Sequence, residues 1–260
     1  MSGFTQKSSL IIQVGLYKTE NTYQCLWFDQ KKVPHFMQSS SHLSIKEIQS
    51  QLNASDVVDN KIKKKPKFIV SIQPQHIWTR SLLLPHLLTP QESEQQCHFL
   101  LENELPTPLE QLWFDYCTTP LKQSCRLDIF AIIKNTAKDY LKKYSPLLIS
   151  VLDSHSHAIV RAFQYLLNLS DEEINEKLFL YKDSECCLAI QQKSGQFRTV
   201  QHSKNNILII FEHFCQRYNE RPTEIYFYST SEIKKTPQQW NQVNTDLPFI
   251  ALGNALWRQE

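Results

Sequence analysis

The sequence predicts an α/β protein in which a unit of three strands, a helix and a strand occurs twice, with a smaller βαββαβ unit inserted between the copies. Three observations carry this. Short runs rich in β-branched and aromatic residues alternate with stretches of helical period. The order of those runs repeats although the residues do not. The chain of 260 residues is 41% hydrophobic and 21% charged, enough apolar material for a core, which excludes disorder, collagen and coiled coil.

Residues 10–17 (LIIQVGLY), 23–28 (YQCLWF) and 33–38 (VPHFMQ) predict a three-strand meander, broken by the turn segments KTENT and DQKK. Pro34 suits an edge strand or a strand start. Ser44 opens a helical stretch, SIKEIQSQLN, with Glu47 at the capping-box position. A lysine-rich loop then leads to a buried strand at 67–72. The same order returns with strands at 177–182, 186–191 and 197–201, turned at Asp183-Ser184 and around Gly195. A helix from Asn205 to Tyr218 follows, with Ile207, Ile210, Phe211 and Phe214 on one face, and then a strand at 223–229.

Between the copies, residues 76–84 predict a strand. Thr89-Pro90-Gln91-Glu92 is a helix start with Thr as N-cap, Pro at the first position and Glu at the third. Pro106 stops that helix. Segments 111–118 and 125–133 form a hairpin, Asn135 caps a second helix, and 147–152 closes the unit as a strand. A helix from Ser154 to Asn168 returns the chain to the first lobe. The last helix, 248–257, is too apolar to stand alone and must pack on a lobe. The expected organisation is 1–73 with 154–169 as the first lobe, 74–153 as the inserted unit and 170–260 as a reduced second lobe.

Composition removes several function classes. There are 4 Gly, whereas average usage gives roughly 18 in a chain of this length. No glycine-rich dinucleotide loop, Walker A loop or nucleophile elbow can be written with them. A net charge of +2 announces no nucleic-acid binder. The N-terminal run is short and interrupted by Gln13, so no signal peptide is expected, and no stretch reaches the ~20 apolar residues of a membrane span. The 7 Cys, without C-x-x-C spacing, predict free thiols in a reducing compartment.

Duplicated βββαβ lobes with a ferredoxin-like insertion resemble the actin-like, ribonuclease H-like superfamily, and its FtsA members in particular. Segment 101–116 (LENELPTPLEQLWFDY) is similar to the PilM family, where an acidic helix runs into a P-x-P-L-E loop and a strand ending in Asp-Tyr. Residues 127–163 follow that family's order of strand, turn, helix, strand, Asp and return helix, and IALGNAL at 250–256 sits where its closing helix lies. The short length resembles the ComA/HofM competence branch. The resemblance implies a cytoplasmic protein peripheral to the inner membrane. It would hold the short cytosolic N-terminal segment of a PilN-like bitopic protein in a pilus or DNA-uptake machine. By the same resemblance the peptide groove lies between the first lobe and the inserted 1C-type unit, at Arg80, Pro106, Pro108, Leu109, Ser154 and His155.

Longer relatives bind ATP through an Asp-x-Gly in each lobe's first hairpin, where glycines admit phosphate and the carboxylates organise Mg²⁺. Here the corresponding positions are Gln13, Gly15 and Lys18, with Tyr17 among them, and Asp183 without its glycine. The nucleotide site is therefore expected to be vestigial, with no cofactor, no metal and no catalytic residue. Gly15 and Asp183 are then turn residues. The alternative is an active ATP-binding member of the fold. His155 and His157 are expected at the surface, and Glu102 and Glu104 in solvent. Lys61, Lys63, Lys64, Lys65 and Lys67 form either a solvated loop or a patch for the anionic inner leaflet. A nucleic-acid platform on the inserted unit is disfavoured: Trp113 and Phe114 face opposite ways, and little positive charge surrounds them.

Overall fold

β1 (Ser9–Lys18), β2 (Tyr23–Phe28) and β3 (Pro34–Ser39) form the predicted antiparallel meander. The computed structural model describes residues 9–55, 63–121, 124–193, 196–202, 206–233 and 236–258. They divide into two compact units: Met1–Ser71 with Pro146–Glu260, and Ile72–Ser145.

In the first unit, α1 (Ile45–Ala54) leads to β4 (Lys63–Ile72), which pairs parallel with β1 from Ser9↔Lys63 to Gly15↔Ile69. Ser44 is the N-cap of α1, but its side chain accepts no cap hydrogen bond, so the expected capping box is not made there. The lysine run is strand rather than loop, because β1 offers main-chain partners along it and pairing overrides propensity. Lys64 is buried, its Nζ donating to the Leu52 carbonyl at 2.5 Å, and Lys67 lies 4.4 Å over the Trp257 ring. Residues 63, 64, 65 and 67 of the run therefore lie in a strand and not in a loop; Lys61 lies outside the described residues.

A second difference is topological. Residues of the predicted 147–152 strand form β8 (Ile149–Ser154), which joins the first lobe's sheet, in the order β3-β2-β1-β4-β8, rather than closing the insertion. The second lobe repeats that order: β9 (Leu178–Lys182), β10 (Cys187–Lys193), β11 (Gln196–His202), β12 (Ile225–Ser229) and a two-residue β13 (Asn241–Gln242) give β11-β10-β9-β12-β13. The repeat is longer than predicted. Each fifth strand is followed by a helix, α4 (His155–Leu167) after β8 and α6 (Phe249–Ala255) after β13. Between β12 and β13 runs a connecting loop, and between β4 and β8 runs the entire second unit.

α4 and α6 lie side by side at the heart of the first unit. Ile159, Ala162 and Phe163 of α4 and Phe249, Ile250 and Leu252 of α6 pack with Tyr17 and Leu26 of one sheet and Phe179, Tyr181, Leu188 and Ile190 of the other. That explains why α6 is apolar except for Asn254: every residue of it is buried, against both lobes and not one. α5 (Ile207–Tyr218), capped by Asn206, covers the other face of the second sheet with Ile210, Phe211 and Phe214; Asn205 and Gly195 lie outside the described residues. Alternate residues of β9 and β10 thus meet two cores. Cys186 faces the α4–α6 core and Cys187 the α5 core.

Glycine is spent where backbones touch. A methyl on Gly15 would meet the Ala251 carbonyl oxygen at 2.0 Å, and one on Gly253 the Ala158 carbonyl oxygen at 1.9 Å. Helix ends that need positive φ use asparagine instead, Asn168 at φ 51° and Asn219 at φ 49°.

The second unit is a three-stranded antiparallel sheet ordered β5-β7-β6, from β5 (Trp78–Leu84), β6 (Leu112–Pro120) and β7 (Cys125–Ile133). Leu127, Ile129 and Ala131 of β7 pack on Cys97 and Leu101 of α2 (Pro90–Glu104). The capping box of α2 is formed as predicted, with Glu92 N donating to Thr89 Oγ1 at 3.3 Å and Thr89 N to Glu92 Oε2 at 2.8 Å. α3 (Lys134–Leu141) starts directly from β7 with Ile133 as N-cap, so Asn135 is inside the helix rather than its cap.

Candidate functional site

Besides the shared core, a buried carboxylate bridges the two lobes of the first unit. Asp183 directly follows β9 and is buried. Its Oδ1 accepts from the backbone N–H of Glu185 at 2.8 Å and of Cys186 at 2.7 Å, which builds the turn without glycine. Its Oδ2 accepts from the hydroxyl of Tyr181 on β9 at 2.8 Å and, across the lobes, from that of Tyr17 on β1 at 2.6 Å. Asp183 is thus a turn residue, as expected, and also a hydrogen-bonded link between the sheets.

Burial sets the protonation of this cluster. It pushes both phenols well above the ordinary tyrosine range, and the neighbouring carboxylate adds to the effect, so Tyr17 and Tyr181 remain donors. Burial, then Asp183, pushes the Cys186 thiol up. His155 is not at the surface. It is buried at the start of α4, tilted against Tyr17 at 5.6 Å and edge-on to Tyr181 at 5.9 Å. Desolvation drives its imidazole down to about 4 against the opposing pull of Asp183 and Asp153. Its Nδ1 lies 3.2 Å from Ser71 Oγ, while Nε2 is buried without a hydrogen-bond partner. His157 is half-buried on the Phe197 ring at 4.5 Å.

The other positions expected near a nucleotide are dispersed. Gly15 is no turn residue; it sits within β1 under the backbone of α6, held there by the Asn254 side chain donating to the Leu16 carbonyl at 2.7 Å. Lys18 turns onto the Tyr23 ring at 4.7 Å. Gln13 lines an open groove with Ile11, Phe28, Arg161 and Tyr165. That groove was invisible in the sequence, because its walls come from β1, the turn after β2 and the far half of α4.

The proposed partner residues fall in both units. Arg80, exposed on β5, pairs with Glu104 at 3.4 Å, so Glu104 is not simply solvated. Pro106 and Pro108 are exposed, and Leu109 is half-buried against the core of the second unit in a short 3-10 turn. Ser154 and His155 belong to the first unit, and the burial of His155 removes it from any exposed contact surface.

Two five-stranded sheets of the same order around a helix pair define the actin-like two-lobe fold. Among solved structures, the chain is similar to one described as the PilM-PilN type IV pilus biogenesis complex, with a TM-score of 0.62 and 12% identity over 94% of this chain and 97% of that one. It is also similar to the cytoplasmic domain of EpsL, an inner-membrane component of the type II secretion system of Vibrio cholerae, with a TM-score of 0.49 and 13% identity over 94% and 93% of the two chains. No protein-family model and no curated protein sequence matches the chain. Among the described residues, no helix is long and apolar enough to cross a membrane.

Proposed function

We propose that this chain is a non-enzymatic adaptor of a type IV pilus or competence machine. It works in the cytoplasm at the inner membrane and holds the cytosolic N-terminal segment of a PilN-like bitopic protein. The full-length likeness in fold to a PilM-PilN complex supports the partner class. The observation that carries the non-enzymatic reading is the Tyr17–Asp183 hydrogen bond of 2.6 Å. A magnesium nucleotide needs backbone donors and free carboxylate oxygen between the lobes. Instead a phenol fills that space, Gln13 supplies no charge where a second carboxylate is needed, and the turn at Asp183 has no glycine to admit phosphate. These residues do not fit the nucleotide. Arg80, Pro106, Pro108 and Leu109 of the second unit are the proposed contacts.

Calorimetric titration with a synthetic PilN-like N-terminal peptide tests the reading. Saturable binding is expected, unchanged by ATP and weakened in Arg80→Ala, whose exposed ion pair contributes little to stability. A ligand at ~100 times its Kd adds about 2.7 kcal/mol, so a working nucleotide site would raise the melting temperature visibly. Millimolar MgATP is expected to leave it unmoved. A Mg-dependent rise abolished by Asp183→Ala would replace the adaptor with the ATP-binding alternative, and a peptide that fails to saturate would remove the partner.

A further inference from the structure

From the buried cluster at the start of α4 we infer a transition-metal site, of the kind that takes Zn²⁺, built from His155, Asp183 and Cys186. It goes beyond the adaptor reading and does not depend on it. The ligand atoms of the three residues all lie within 4.8 Å of one another, and all three side chains are buried. Thiolate, imidazole and carboxylate together are a zinc donor set, with bonds of roughly 2.0–2.3 Å; Mg²⁺ and Ca²⁺ prefer oxygen alone. Ligands on one such ion stand roughly 3.5 Å apart, so a contraction of about 1 Å at the widest pair closes the site.

A second, independent observation points the same way. The Nε2 of His155 is buried with no hydrogen-bond partner, an expense that a native core rarely carries without a reason. Its other nitrogen, Nδ1, is within reach of Ser71 Oγ at 3.2 Å. A hydrogen bond donated there fixes the tautomer that leaves the Nε2 lone pair free, as outer-shell partners of metal-bound histidines do. Asp183 is likewise anchored through Oδ1 by the N–H groups of Glu185 and Cys186.

The charges balance. On binding, Cys186 loses its proton to solvent. Thiolate and carboxylate then neutralise the dication, which makes an ion tolerable in a dry core. The cation takes an Oδ2 lone pair that a phenol now uses, so Tyr17 or Tyr181 shifts aside and its hydroxyl or a water can complete the shell. An ion here would stitch β9–β10 of one lobe to α4.

The test uses the full chain, stripped with chelator and incubated with Zn²⁺ or Co²⁺ in the absence of nucleotide. After gel filtration the wild type should keep about one ion per chain, and the cobalt form should show a thiolate-to-metal charge-transfer band. Cys186→Ser and His155→Gln should each lose the band and most of the ion, whereas Cys117→Ser at the exposed cysteine keeps both. If folded wild type retains no ion, or the band survives Cys186→Ser, the assignment is wrong. Should either core variant fail to fold, X-ray absorption at the zinc edge of loaded wild type decides: a single sulfur donor among nitrogen and oxygen supports the site, and any other sulfur count overturns it.

Discussion

Asp183 collects four hydrogen bonds and ties the two lobes of the first unit together. Removing the Tyr17 hydroxyl leaves its Oδ2 with Tyr181 alone, and hydrogen bonds to a charged group contribute about 1.5–3 kcal/mol. Tyr17→Phe is therefore expected to lower unfolding free energy by about 2 kcal/mol in urea titrations, with far-UV circular dichroism unchanged. A loss below ~0.5 kcal/mol would mean that the phenol merely fills space. His155 makes stability depend on pH. Its folded pKa of about 4 lies below the 6.5 of an ordinary histidine, so the unfolded chain takes up the proton first. The contribution is complete above pH 6.5 and is lost as pH falls toward 4, about 3 kcal/mol across that window. His155→Gln should flatten the acid limb relative to wild type; parallel curves for the two proteins would sink the account.

At the scale of elements, α6 is the piece on which the first unit turns. Its backbone approaches β1 at Gly15 and α4 at Gly253 so closely that no side chain fits at either place. The obstacle in both cases is main chain, which cannot swing away as a side-chain tip would. Gly253→Ala should thus force α6 off α4 and cost about 3 kcal/mol or more, at the upper end for overpacked cores. Thermal melts reading a drop of only a degree or two would contradict the packing. In the second unit the helix start carries a smaller and more local stake. Thr89→Ala removes one side of the capping box of α2 and should cost about 1 kcal/mol. Hydrogen exchange would show the loss confined to the first turn of that helix.

At the scale of the whole molecule, three cores among the described residues fall in different units. The α4–α6 and α5 cores belong to the first unit, and the α2–β7 core belongs to the second. Leu127 is fully buried in the last of these. Leu127→Ala is expected to destabilise residues 72–145 by about 2–5 kcal/mol and accelerate their amide exchange, while β9 and β10 keep their protection. Uniform loss of protection through the chain would show that the two units unfold as one.

Local order was readable wherever neighbours in sequence supply the physics. The meanders have alternating apolar residues and polar turns, α2 has its cap and proline in hand, and α5 shows its stripe of Ile210, Phe211 and Phe214. Scarcity of glycine alone already argued against loops that cradle phosphate. What escaped the sequence were pairings between distant segments. A six-residue strand such as β8 carries no mark of which sheet it will join, since either sheet satisfies its main chain. β13 is two residues long and has no pattern at all. The lysines of β4 look like loop until β1 is seen beside them. His155 has the composition of a surface residue, and only the closing of Tyr17, Ser71 and Tyr181 around it makes it a core one. Sequence by itself determined the elements and the repeat, because propensity and period act over a few residues. Tertiary structure decided the partners of each strand and the meeting of Tyr17 with Asp183, 166 positions apart, because burial and hydrogen bonding are settled by what arrives from elsewhere in the chain.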